Sequence, residues 1–195
     1  MVALSGPVPG EVLHAVLQSA NVTLVRPEPG EGEGLAAAAA ALRRAGRATS
    51  PYALVTADPL AGVAAAWQAM WDVARPQGPD GFEREAAETL AAWRAGQFEL
   101  PDYYLVVARP AGPGGPAQQS AGGPDFHLGP LRSLRPHRVA AVAAAEPAQQ
   151  AAGALHELGS LRHGRWWPDL DEVIDTARRF YPDSLAEDTP VLASP

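Results

Sequence analysis

Strand-like and helix-like segments alternate along this chain, which predicts an α/β or α+β domain with one layer of sheet packed by helices. Three to four short strands and five to six helices are expected. Three observations carry the prediction. The stretches 22–25, 52–57 and 103–107 are short apolar runs rich in β-branched or aromatic residues. Leu60, Val63, Trp67, Trp71 and Ala74 recur at spacings of three and four, one apolar stripe on a helix. At 195 residues the chain suits one domain with a real core.

Taken in order, residues 11–20 carry Val12, Leu13, Val16 and Leu17 at helical spacing, a short amphipathic helix. Asn21 ends it, and Val22-Thr23-Leu24-Val25 reads as a buried strand. Arg26 to Gly34 is a loop of proline, glutamate and glycine. Leu35 to Arg47 is an alanine-rich helix with Arg43, Arg44 and Arg47 at the end that the helix dipole favours. Tyr52 to Ala57 is the second strand, and Asp58 caps the striped helix that follows. Pro76 to Asp80 breaks that helix. Phe82, Ala86, Leu90 and Trp93 mark the next one, with Gly96 near its end.

Tyr103 to Val107 is the strongest strand. Ala111 to Gly123 holds only Ala, Gly, Pro, Gln and Ser, the composition of a mobile loop. Phe126 to Leu128 and Arg138 to Ala144 are two further strand expectations. Pro147 to Leu161 reads as a helix weakened by Gly153 and Gly159. The last helix starts at the N-cap Asp169, has Asp171 and Glu172 in its first turn and Arg178 and Arg179 in its last, and stops at Pro182. The expected organisation is one globular domain over 1–183, with a flexible loop at 110–125 and a frayed tail at 184–195.

Composition excludes chemistry. All fifteen basic side chains other than histidine are arginine, cysteine is absent, and alanine makes up roughly a fifth of the chain. With Ile174 and Asn21 the sole examples of their types, the bias reads as that of a high-GC bacterial genome. Without lysine there is no P-loop lysine and no Schiff base. Without cysteine there is no disulfide, thiolate nucleophile or thiolate zinc site. Gly-x-Ser-x-Gly and Gly-x-Gly-x-x-Gly are both missing. No cofactor or metal is expected. A net charge of −7 disfavours nucleic acid and anionic membranes. No apolar stretch is long enough to span a bilayer and the start lacks signal-peptide character, so a cytoplasmic protein is expected.

The most site-like segment is Arg162, His163, Arg165, Trp166 and Trp167. Arginine and tryptophan are the side chains most enriched at binding hot spots, and Arg165 has an indole within reach for stacking. Against this stands the plainer reading, in which both indoles pad the last helix onto the sheet. Between His127 and Trp167 five arginines face two glutamates, a local balance of +3, so Arg132, Arg135 and Arg138 extend the patch. The expected function is therefore a non-catalytic interaction protein with a protein partner. The alternative is a small enzyme in which His127, His137, His156, His163 and aspartates converge only in the fold, Asp125-x-His127 being a local acid–base pair. The third is nucleic-acid binding by the arginine-rich C-terminal half. A zincin-like His156–His163 pair fails, since seven residues of helix separate them by about 10.5 Å. Glu28, Glu31 and Glu33 make the 26–34 loop repel phosphate.

Overall fold

A computed structural model describes residues 1–6, 8, 10–18, 21–72, 75–107, 125–142, 147–160 and 167–182. Within them β1 (Val2–Ser5), β2 (Val22–Val25), β3 (Tyr52–Val55), β4 (Tyr103–Val107) and β5 (Val139–Val142) form one sheet in the order β2-β3-β1-β4-β5. Every pairing is parallel; Ala3 of β1 lies between Val55 of β3 and Tyr104 of β4. The helices are α1 (Gly10–Leu17), α2 (Gly34–Ala45), α3 (Ala61–Ala69), α4 (Asp80–Arg94), α5 (Arg132–Leu134, a single turn), α6 (Pro147–Ser160) and α7 (Leu170–Arg178). The class is α/β. Five strands and seven helices exceed the expected three to four and five to six.

The additional strand is β1, the middle of the sheet. Its Val-Ala-Leu-Ser run holds one β-branched residue and no aromatic, so it lacks the composition that marks β2, β3 and β4. The expectation of a strand at Phe126–Leu128 is overturned: His127–Leu131 is a π-helical turn. Pro130 accounts for it. In an α-helix its ring would strike the carbonyl four residues back, that of Phe126. The wider turn gives that carbonyl to the Leu131 amide instead, at 3.2 Å. The striped helix also stops early, at Ala69, where the Met70 and Trp71 amides bond three residues back and tighten the last turn.

Strand residues alternate between two cores, as the two-residue period requires. On one face Val2, Leu4, Leu54, Tyr103, Leu105 and Val107 pack under α1 and α6 through Val12, Val16, Ala154 and Leu158. On the other, Ala3, Val55, Tyr104 and Val106 meet α2, α3, α4, α7 and the π turn through Trp67, Phe82, Phe126, Leu131, Leu170 and Ile174. Each large side chain buried this way stabilises the fold by about 1.5–3 kcal/mol. Trp67 also donates its Nε1 proton to the Ala177 carbonyl at 3.1 Å, joining α3 to α7.

The connections place a crevice. After β1 the chain crosses the α1 face, whereas after β3 and β4, its two neighbours, it crosses the other. Such a divergence opens the sheet at the C-terminal end of the central strand, where open α/β sheets bind ligands. Among the described residues no helix is long and apolar enough to cross a membrane. The expected mobile loop, apart from Asp125, and the tail from 184 lie outside the described residues.

Candidate functional site

Four side chains from three separate segments meet at that crevice. Ser5 ends β1, and alternation turns it to the face of Ala3, toward α3 and the π turn. Gly6 follows at φ +93, and a Cβ there would stand 2.4 Å from the Val107 carbonyl oxygen. Only glycine lets the chain leave β1 so close against β4.

Asp58 lies three residues beyond β3. The cap expected of it takes a different form: Leu60 occupies the N-cap position, and Asp58 Oδ1 accepts the Leu60 amide at 2.8 Å. Its other oxygen, Oδ2, is 2.7 Å from His127 Nε2. Both side chains are buried, 7% and 4% exposed, which makes this a pair held away from water. Asp125 begins the π turn by accepting the His127 and Leu128 amides at 2.8 and 3.1 Å. The same Asp125 oxygen is 3.6 Å from His127 Nδ1, and Ser5 Oγ is 3.4 Å from that nitrogen.

The electrostatics follow from this geometry. Burial works against a charged imidazole, but the Asp58 charge and hydrogen bonds to Asp125 and Asp58 outweigh it and raise His127 to about 9. Burial also works against the Asp125 carboxylate, yet its bonds with His127 and Leu128 hold it below the usual aspartate range. Burial first and the Asp58 charge second push the Tyr104 phenol well above its ordinary value. That ring stacks at a tilt 5.1 Å from His127, and its buried hydroxyl makes no hydrogen bond of ordinary geometry.

Ser5, His127 and Asp58 have the composition of a hydrolytic triad but not its protonation. In a triad the neutral imidazole takes the serine proton. Here the Asp58 and Asp125 carboxylates raise the ring above its ordinary value and so favour the form with both nitrogens protonated. In that form Nδ1 faces Ser5 Oγ, at 3.4 Å, as a donor and not as an acceptor. With Nδ1 protonated, the ring has no lone pair with which to accept the Ser5 proton.

Beside Asp58 is a cavity of about 330 Å³, between the exit of β3, the starts of α2 and α3, and α4; Thr56, Asp58, Glu85 and Glu88 supply polar lining. All three charged side chains in its described lining are carboxylates. The 26–34 loop contributes Pro27 and Gly34 to the wall. Arg44 ties that loop down, pairing with Glu31 and, at 3.4 Å, with Glu28. Two of the three glutamates expected to repel phosphate are thus partly neutralised, but none of the described wall is cationic.

At the opposite edge of the sheet a groove of about 640 Å³ is lined by Trp93, Phe98, Trp167, Glu99, Asp102 and Asp169, among others. Of the residues expected to form a binding surface, Arg162, His163, Arg165 and Trp166 lie outside the described residues. Trp167 is half-buried: its Nε1 donates to the Pro101 carbonyl at 2.6 Å, and its ring meets Tyr104 edge-on at 5.7 Å. Arg132 and Arg135 are exposed. Arg138 is 7% exposed, with its guanidinium 4.3 Å above the Tyr103 ring. His137 and His156 are exposed, and His163 lies outside the described residues. Among the described residues no group of three histidines or carboxylates is placed to hold a metal ion.

Sequence reasoning paired Asp125 with His127 and missed Ser5 and Asp58, which lie 122 and 69 residues away from the ring they meet. Set against protein-family models, curated proteins and solved structures, the chain matches none.

Proposed function

We propose that this protein binds a small polar ligand without net negative charge at the C-terminal edge of its sheet, in the cavity beside Asp58. One observation carries the reading: a buried imidazolium, held between Asp58 and Asp125, at the end of the central strand. A buried ion cluster stabilises a fold no better than apolar residues of similar size would. Asp58 joins that cluster to the cavity, standing in the cavity wall and bonded to the His127 ring behind it. Every charged side chain in the described lining is a carboxylate, so phosphate or carboxylate groups of a ligand would meet like charge there. The protonated ring argues for recognition over a Ser5 nucleophile.

A defined fragment set of amines, carboxamides, alcohols, carboxylates and phosphates, titrated into ¹⁵N-labelled protein, tests this. Amide shifts at 56–62 and 85–89 are expected with amines or carboxamides, weakened in Glu85→Gln and Glu88→Gln. Shifts at that edge from anionic fragments alone, or shifts from all fragments confined to other regions, overturn it.

A protein partner at the 162–167 segment is the second reading. It is supported by the position of Trp167 in the wall of the opposite groove, and alanine at Trp167 with loss of capture but retained folding would bear it out.

A further inference from the structure

We infer that the groove at the N-terminal edge of the sheet receives a basic peptide segment of a partner protein, one bearing arginine or lysine. This lies apart from the ligand cavity at the other edge and does not depend on it. The groove, at about 640 Å³, is nearly twice the volume of that cavity. It is also built of different material.

Its floor is aromatic and fixed. Phe98 is 3% exposed and Trp93 is half-buried. Trp167 cannot turn without breaking its 2.6 Å bond to the Pro101 carbonyl and its edge contact with Tyr104. A rigid indole face costs a ligand little ordering entropy and attracts a flat cation.

Its charge is negative. Glu99, Asp102 and Asp169 line it, and none of its described lining residues is lysine, arginine or histidine. Asp102 is paired with the Met1 amino group. Asp169 is exposed and spends no side-chain bond on capping α7. Among the described arginines, Arg43 donates to the Gln97 carbonyl at 2.8 Å and Arg94 meets Asp171 at 2.5 Å, while Arg47, between the lining residues Gly46 and Ala48, is exposed. Aromatic faces beside carboxylates suit a guanidinium or ammonium on an aliphatic stem, whose methylenes cover the rings while its head meets the acids.

This reverses the partner that the arginine-rich sequence around Trp167 suggests. Arginines select an acidic partner; the groove selects a basic one.

The test is a fluorescence and NMR titration with four blocked hexapeptides of one design: two arginines, two lysines, two glutamates, or neutral throughout. Saturable binding of the arginine and lysine peptides is expected, with amide shifts at 93–102 and 167–170 and an affinity that falls as salt rises. Glu99→Gln with Asp169→Asn should weaken it about tenfold or more, and Glu11→Gln, on α1, should not change it. Thermal melts of each variant confirm folding. Three results overturn the inference: no binding of either basic peptide, equal binding to the double variant, or shifts confined to other regions. Equal or tighter binding of the glutamate peptide also overturns it, in favour of the acidic partner.

Discussion

The two faces of the sheet are covered by different means. Under α1 and α6 the helix contribution is aliphatic and small: Val12, Val16, Ala151, Ala154 and Leu158. Under α2, α3, α4 and α7 are Trp67, Phe82 and Phe126, with Trp71, Trp93 and Trp167 packed at the margin. The second face holds the buried His127–Asp58 pair, whereas the first buries the Arg138 guanidinium over the Tyr103 ring. The difference shows where an alanine-rich chain concentrates its large side chains: the face that builds the crevice must be rigid enough to hold a charged ring in place.

The largest expected effect tests that rigidity directly. Asp58→Ala leaves the His127 imidazolium without its nearest carboxylate and the Leu60 amide without its acceptor. Losing one partner of a buried pair costs about 3–5 kcal/mol, measurable by urea unfolding. Asp58→Asn, which retains an oxygen for the amide, should cost less. Equal, small losses in both would mean that the cluster is solvated and the contrast between faces is one of size alone.

Next come the cores themselves. Trp67→Ala removes a side chain 1% exposed and its bond to α7, and should cost about 3–5 kcal/mol. Leu158→Ala, on the aliphatic face, should cost about 2–4 kcal/mol. A reversed order in equilibrium unfolding would break the comparison.

The third prediction concerns pH. His127 is raised from 6.5 to about 9 in the folded protein. A raised base contributes stability that is fully present below about pH 6.5 and is lost as pH climbs through about 9. The linked change is on the order of 3 kcal/mol. Unfolding free energies measured from pH 6 to 10 should fall accordingly, and His127→Gln should flatten the curve. An NMR titration of the ring with a midpoint near 6.5 would contradict the electrostatics of the site.

The smallest effect belongs to the rim. Arg178 grips Glu83 with two bonds of 3.0 and 2.6 Å, and the Tyr181 hydroxyl donates to the same carboxylate at 2.7 Å. Arg178 and Glu83 are each 41% exposed, so Glu83→Gln should cost under about 1 kcal/mol. A larger loss in the melt would show that α7 is held by its ion pairs more than by Leu170 and Ile174.

What the sequence disclosed depended on the length of each signal. Tyr103–Val107 is apolar at every position and buried on both faces, so its pattern alone identifies it. β1 is as central, but its Val-Ala-Leu-Ser run holds one β-branched residue and no aromatic, so its composition does not mark it. Phe126-His127-Leu128 alternates apolar and polar like a strand; the proline that makes it a π turn comes three residues after the histidine. Asp125 and His127 are legible as a pair because they are neighbours. Ser5 and Asp58 reach the same ring only through the order of the sheet, which no local spacing encodes. Trp167 is half-buried, its Nε1 bonded to the Pro101 carbonyl and its ring in the wall of the groove.

The strand order also sets a timetable. β1 precedes both of its partners in the chain, pairing with β3 some fifty residues later and with β4 about a hundred later. No two strands adjacent in sequence can close a hairpin, because all the pairings are parallel. During synthesis the middle strand therefore emerges with both edges unsatisfied and must wait for its neighbours, an interval in which an unpaired strand edge invites association with other chains. The imidazole follows both partners of β1 in the chain, so the charged cluster can form only after β3 and β4 have emerged, with β5, α6 and α7 still to come.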